Sequence, residues 1–175
     1  MNRASGLERL APHERDAART TTLGTGELLT HTLDHGARHL VLTVGGSAST
    51  DGSPGMATTL SYGFFDERGA AVPPTGKHLV RVHRIDTTRV HPQLAAISCR
   101  IATDVTNPFY GPTKAAQVFA AQKDADAPAI ARLDAGLLIT GEDRIDAQTW
   151  QGKPLGYLLT HGDLGRQPPA RSPNL

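Results

Sequence analysis

The chain has 175 residues, enough for one domain with a sizeable core or for two small ones. Its 18 basic and 17 acidic side chains leave a formal net charge of +1 and form no basic stripe, which argues against nucleic acid as the main partner. A lone cysteine excludes an intrachain disulfide; with no apolar run of membrane-spanning length and no signal-peptide pattern at Met1-Asn2-Arg3-Ala4-Ser5, a cytoplasmic setting away from membranes is expected.

Residues 1–22 read as an irregular lead-in containing Pro12, the charged run His13-Glu14-Arg15-Asp16 and the triplet Thr20-Thr21-Thr22. A helix is predicted from Thr25 through His35, with Leu28, Leu29 and Leu33 on one face and Gly36 as its C-terminal stop. It feeds the run His39 to Val44, aliphatic on both faces, the pattern of an inner strand in a covered parallel sheet. Helix followed by strand points to a layered α/β fold with a mostly parallel sheet.

That strand runs directly into Gly45-Gly46-Ser47-Ala48-Ser49-Thr50-Asp51-Gly52-Ser53-Pro54-Gly55-Met56. Glycines there permit positive φ and close approach to a ligand, and Ser47, Ser49 and Thr50 add hydroxyl donors, a composition suited to an anion. A helix from Gly55, with Met56 and Leu60 four apart, would lend its positive end to the same site. Asp51 suits Mg²⁺ or a hydroxyl contact, or it is simply a capping residue in a serine-rich turn.

Phe64 to Val72 reads as a hairpin turning at Asp66 to Gly69, and Pro73-Pro74-Thr75-Gly76 breaks the chain before a helical segment with Leu79, Val80 and Val82. His78, His83 and His91 are dispersed, the pattern of solvated histidines rather than a zinc site. Ile97 to Thr103 is a second strand, in which Cys99 reads as a core thiol. It ends in Asp104-Val105-Thr106-Asn107-Pro108, where Asp104 and Asn107 either hold a metal ion or substrate hydroxyl or form an Asx turn. Lys114 opens a helix with Val118 and Phe119 as core residues, and Ala127 to Ala135 forms another. A third strand, Gly136 to Thr140, leads into Glu142, Asp143, Arg144, Asp146 and Gln148, followed by Lys153. Residues 23–160 form the α/β region, and 161–175 are a proline-rich tail.

If the three strands are parallel neighbours, their three polar loops gather on one sheet edge. Such an edge supplies backbone donors for phosphate, carboxylates for Mg²⁺ or a general base, and Arg144 or Lys153 for developing negative charge, which are the parts that phosphoryl transfer requires. Asp51, Asp104 and Asp146 are the candidate bases.

The stretches Ala4-Ser5-Gly6-Leu7, Thr20 to Leu28, Gly45 to Gly52, Ala102 to Pro108, Gly111-Pro112, Val118-Phe119, Gln122-Lys123, Ile139 to Thr149 and Gly152-Lys153, in this order, resemble the bacterial glycerate kinases of the glycerate 2-kinase type. The resemblance implies ATP- and Mg²⁺-dependent phosphorylation of glycerate on an α/β fold. Carried onto this sequence, it puts Gly45, Gly46, Ser47, Asp51, Asn107, Glu142 and Arg144 around substrate or phosphate and makes Asp104, Asp146 and Lys153 catalytic. Asp104 and Glu142 would then be the Mg²⁺ ligands.

The family's N-terminal lysine-bearing loop, a segment between Ala135 and Gly136, and its last strands have no counterpart in this sequence. Lys114, Ala120, Asp124 and Asp143 also stand where the family usually has glycine. Two further expectations follow: a catalytically impaired remnant that folds partly and binds little, or a module that binds an organic acid or nucleotide without turnover; exposed sheet edges would also allow self-association.

Overall fold

A computed structural model describes residues 1–103 and 118–133. The third predicted strand, the loops from Asp104 to Lys114 and from Glu142 to Lys153, and the tail lie outside the described residues.

Helix α1 (Asn2–Ser5) is a single turn, followed by 3₁₀ turns at Leu7–Arg9 and Pro12–Glu14. Helix α2 (Leu23–Asp34) leads to strand β1 (His39–Val44), and helix α3 (Pro54–Thr59) follows the glycine-rich loop. Strands β2 (Gly63–Phe65) and β3 (Arg84–Asp86) form an antiparallel pair, and strand β4 (Ser98–Thr103) returns beside β1. The β1–β4 pair is parallel and in register from His39 opposite Ser98 to Val44 opposite Thr103. The fold is therefore α/β, as the helix-then-strand order suggests.

The hairpin turn also forms. Asp66 N–H donates to the Ala70 carbonyl and Val72 N–H to the Phe64 carbonyl, while Phe65 bridges Ala71. The helical segment after Pro74 is a 3₁₀ stretch, Gly76–Arg81, with Leu79 buried and Val80 40% exposed.

The main core lies between the helices and one face of the β1–β4 pair. Leu29, Leu33, Leu42, Met56, Leu60 and Phe64 are its buried members, and Leu40, Cys99 and Ile101 pack against it. Burial pushes the Cys99 thiol up, as expected of a core thiol.

Four local expectations are corrected. Leu28 is 57% exposed, because the buried stripe of α2 is Thr25, Gly26, Leu29 and Leu33; Leu28 lies about 100° around the helix from Leu29. Val41 is 70% exposed, since burial alternates along β1 and one strand face is open. Val118 is 43% exposed. His91 is not a solvated histidine: its Nε2 lies 3.0 Å from Asp34 Oδ1.

Residues 1–22 contribute to the packing. Ala17 and Ala18 join Leu79, Ala120 and Leu133 in a second buried cluster, which packs residues 118–133 against the N-terminal segment, and the Ala17 carbonyl in turn accepts Thr50 N–H of the glycine-rich loop. Residues 127–133 are helical.

Candidate functional site

The loop from Gly45 to Ser53 leaves β1 at the same level as the end of β4, because Val44 and Thr103 are register partners. It has two layers. Gly45 and Gly46 are exposed and Ser47 is half-buried, forming a rim, whereas Ala48, Ser49, Thr50 and Asp51 are buried beneath it. Positive φ occurs at Gly46 (60°), Gly52 (66°) and Ser53 (78°).

The rim is tied to the N-terminal residues. Leu7 N–H donates to the Gly46 carbonyl at 2.8 Å, and Ala48 N–H donates to the Ser5 carbonyl at 2.9 Å. Ser5 Oγ also pairs with Thr25 Oγ1 at 2.6 Å, linking the rim to the start of α2.

Beneath the rim, Asp51 is 1% exposed and accepts five hydrogen bonds. Its Oδ2 takes Thr22 N–H at 2.7 Å, Thr22 Oγ1 at 2.8 Å and Thr21 Oγ1 at 3.3 Å. Its Oδ1 takes Ser49 Oγ at 3.2 Å and Ser53 N–H at 3.3 Å. Thr22 is the N-cap of α2, and its hydroxyl also accepts Met56 N–H of α3 at 3.0 Å. The starts of both helices thus converge on one buried carboxylate, the arrangement that helix dipoles favour. A Cβ on Gly55 would lie 2.7 Å from Leu23 N and 2.9 Å from Asp51 Oδ2, so only glycine allows this approach.

The anion received at the start of α3 is therefore Asp51 itself. The expectation that this helix end faces a ligand is corrected, and the six-residue helix already has its Met56 N–H occupied by Thr22. Asp51 does not fit Mg²⁺ coordination in this arrangement, because five protein donors already point at its oxygens. Of the sequence-predicted residues, Gly45, Gly46, Ser47 and Asp51 are brought together in this loop; Asp104, Asn107, Glu142, Arg144, Asp146 and Lys153 lie outside the described residues.

Lys123 completes the site and carried no expected role. It ends the 3₁₀ turn Ala121–Lys123, is only 9% exposed, and its Nζ donates to the Ser49 carbonyl and to Thr50 Oγ1. Burial pushes its ammonium down to about 8, and the nearby Asp51 carboxylate partly opposes that fall. Thr21 and Thr22 were also missed. The only sequence signals were the triplet just before a helix and a lysine in a short stretch shared with a known family.

The family model described as the glycerate kinase family matches residues 1–138. The chain is 40% identical over 137 residues to a glycerate kinase of Bacillus cereus, covering 78% of this chain and 36% of that protein. It is 38% identical over 137 residues to the glycerate 2-kinase of Escherichia coli, again covering 78% and 36%. A solved structure from Salmonella typhimurium LT2, provisionally assigned as glycerate kinase 2, superimposes with a TM-score of 0.76 at 39% identity, covering 79% of this chain and 37% of that one. The chain thus spans about a third of the length of the curated relatives it matches.

Proposed function

The chain belongs to the glycerate kinase family, and from that membership we propose that it carries part or all of a phosphotransferase site for the ATP-dependent phosphorylation of glycerate. The observation that carries this reading is the family match over residues 1–138, which takes in the loop at the end of β1.

In this reading the exposed rim of Gly45, Gly46 and Ser47 takes the carboxylate or a phosphate, through backbone N–H groups and the Ser47 hydroxyl. Asp51 acts through the loop: it fixes Ser49 and Ser53 from below, and its buried oxygens do not reach the substrate. Asp104 follows Thr103, the register partner of Val44, in the chain, which supports its assignment to the reacting hydroxyl. Asp146 and Lys153 are the proposed partners in proton removal and charge stabilisation, with Asn107, Glu142 and Arg144 around the substrate. The γ-phosphoryl of ATP is the transferred group, and Asp104 and Glu142 are the proposed Mg²⁺ ligands. A cytoplasmic setting belongs to the same reading.

The test is glycerate-dependent ADP release by the purified chain with Mg²⁺ and ATP, beside a full-length relative. Turnover that falls at least tenfold in Asp104→Asn and Asp146→Asn supports the assignment. Full activity in either variant removes that residue from catalysis. The span of about a third of the relatives' length favours one second reading, binding of an organic acid or nucleotide without turnover. Under that reading glycerate or ATP raises the melting temperature although no ADP is released.

A further inference from the structure

Lys123 is a charged group that the proposed chemistry does not use, held where a charge is costly. The contact with Asp51 is not a direct ion pair. Among the described residues, its ammonium bonds the Ser49 carbonyl and the Thr50 hydroxyl, while Asp51 is already supplied with five other donors. The lysine therefore acts on the carboxylate only through space, and its direct bonds go to the Ser49 and Thr50 stretch of the loop.

Its position on the loop shows what it does control. Thr50 is held at two points: its N–H donates to the Ala17 carbonyl at 3.2 Å, and its hydroxyl accepts from Lys123 Nζ. The Ser49 peptide has its N–H on Ser47 Oγ at 3.2 Å and its carbonyl on Lys123. The Ser47 hydroxyl is itself shared with Ser49, at 3.2 Å from both the Ser49 carbonyl and Oγ. The Ser49 carbonyl thus accepts both the charge-assisted bond from Lys123 and the Ser47 hydroxyl, which couples the ammonium to the rim through one oxygen atom.

We propose that Lys123 is a positioning residue for the Gly45–Ser53 loop, orienting the Ser49 and Thr50 peptides from behind so that the Ser47 rim is set for an anionic oxygen. This inference rests on the reading that the rim binds the carboxylate or phosphate. The anchor comes from 74 residues downstream of Ser49, from a segment whose Ala120 and Leu133 are fully buried against Ala17 and Leu79. The loop geometry therefore depends on the docking of residues 118–133.

The test uses the full 175-residue chain and the variants Lys123→Met, which removes the donor, and Lys123→Arg, which keeps the charge. Amide hydrogen exchange is followed residue by residue, and glycerate affinity is measured by calorimetry. The expected result for Lys123→Met is exchange about tenfold faster at Ser49 to Ser53, unchanged exchange at Leu29 and Leu42, and glycerate affinity lower by about tenfold, with Lys123→Arg recovering part of both. Should Lys123→Met not melt cooperatively, Lys123→Gln replaces it with the same expected pattern. Wild-type protection of the loop in the variant overturns the proposal. An equal rise in exchange at Leu29 and Leu42 does so too, because it marks a merely structural lysine. Absence of glycerate binding by the unaltered chain overturns the rim assignment, whereas the exchange pattern alone decides whether Lys123 sets the loop.

Discussion

Thr22 and Asp51, 29 residues apart, are joined twice: the Thr22 N–H and hydroxyl both donate to Oδ2, at 2.7 and 2.8 Å. The same hydroxyl accepts Met56 N–H, so one side chain connects α2, α3 and the loop. Thr22→Val keeps the shape but removes both a donor and an acceptor from a buried site. It should lower stability by about 2 kcal/mol in denaturant unfolding, with Thr22→Ser close to the unaltered protein. An unchanged midpoint in the valine variant would show that the network carries no stability.

Asp51→Ala goes further, because it strips the acceptor from two backbone N–H groups and from the Thr22 and Ser49 hydroxyls at once, while the Thr21 hydroxyl keeps the Pro74 carbonyl. Buried donors without partners are costly, and a loss of about 3 kcal/mol or more is expected. Amides of Thr22 and Ser53 should lose protection first. A variant that melts within a degree of the parent would contradict the hub described for this carboxylate.

At Gly26, helix α2 passes so close to α3 that a Cβ would stand 2.6 Å from Met56 Cα and 2.7 Å from the Met56 carbonyl oxygen. These are backbone atoms and cannot rotate away. Gly26→Ala should therefore destabilise by about 2 kcal/mol, although alanine is intrinsically the better helix former by about 1 kcal/mol. A stabilised variant would mean that the two helices separate without cost.

Lys123 gives the stability a pH dependence whose sign is fixed. Burial lowers its ammonium from 10.5 to about 8 in the folded chain. Between those values the unfolded chain holds a proton that the folded chain has released, so stability rises with pH. The contribution is fully present above the unfolded value and is lost as pH falls through the folded one. Measured against Lys123→Met, the unaltered protein should gain on the order of 3 kcal/mol from pH 8 to 10.5. A difference that stays flat across this window would rule the titration out.

Elements with a local signature were legible in the sequence. The aliphatic runs gave β1 and β4, Asp66 to Gly69 gave the hairpin turn, and the apolar spacing with Gly36 gave α2 to within two residues. Parallel pairing also followed from the element order. What escaped was built from distant partners. Thr21, Thr22 and Asp51 are ordinary turn residues until the chain folds back over about thirty positions, and no periodicity marks such a meeting. Lys123 sits between glutamine and aspartate, the composition of a solvated turn, and only the packing of Ala120 and Leu133 draws it inside. Val41 was misjudged because an aliphatic run shows which residues can be covered, not whether both faces are.

The Lys123 bond to Ser49 also sets an order of events during synthesis. A chain emerging N-terminus first has made every residue of the loop, α2 and α3 well before the lysine exists, and 74 positions separate the carbonyl from the amine that holds it. At roughly 5–20 residues per second, the nascent loop spends several seconds without its anchor. Its final shape is therefore acquired late, when residues 118–133 arrive to close it.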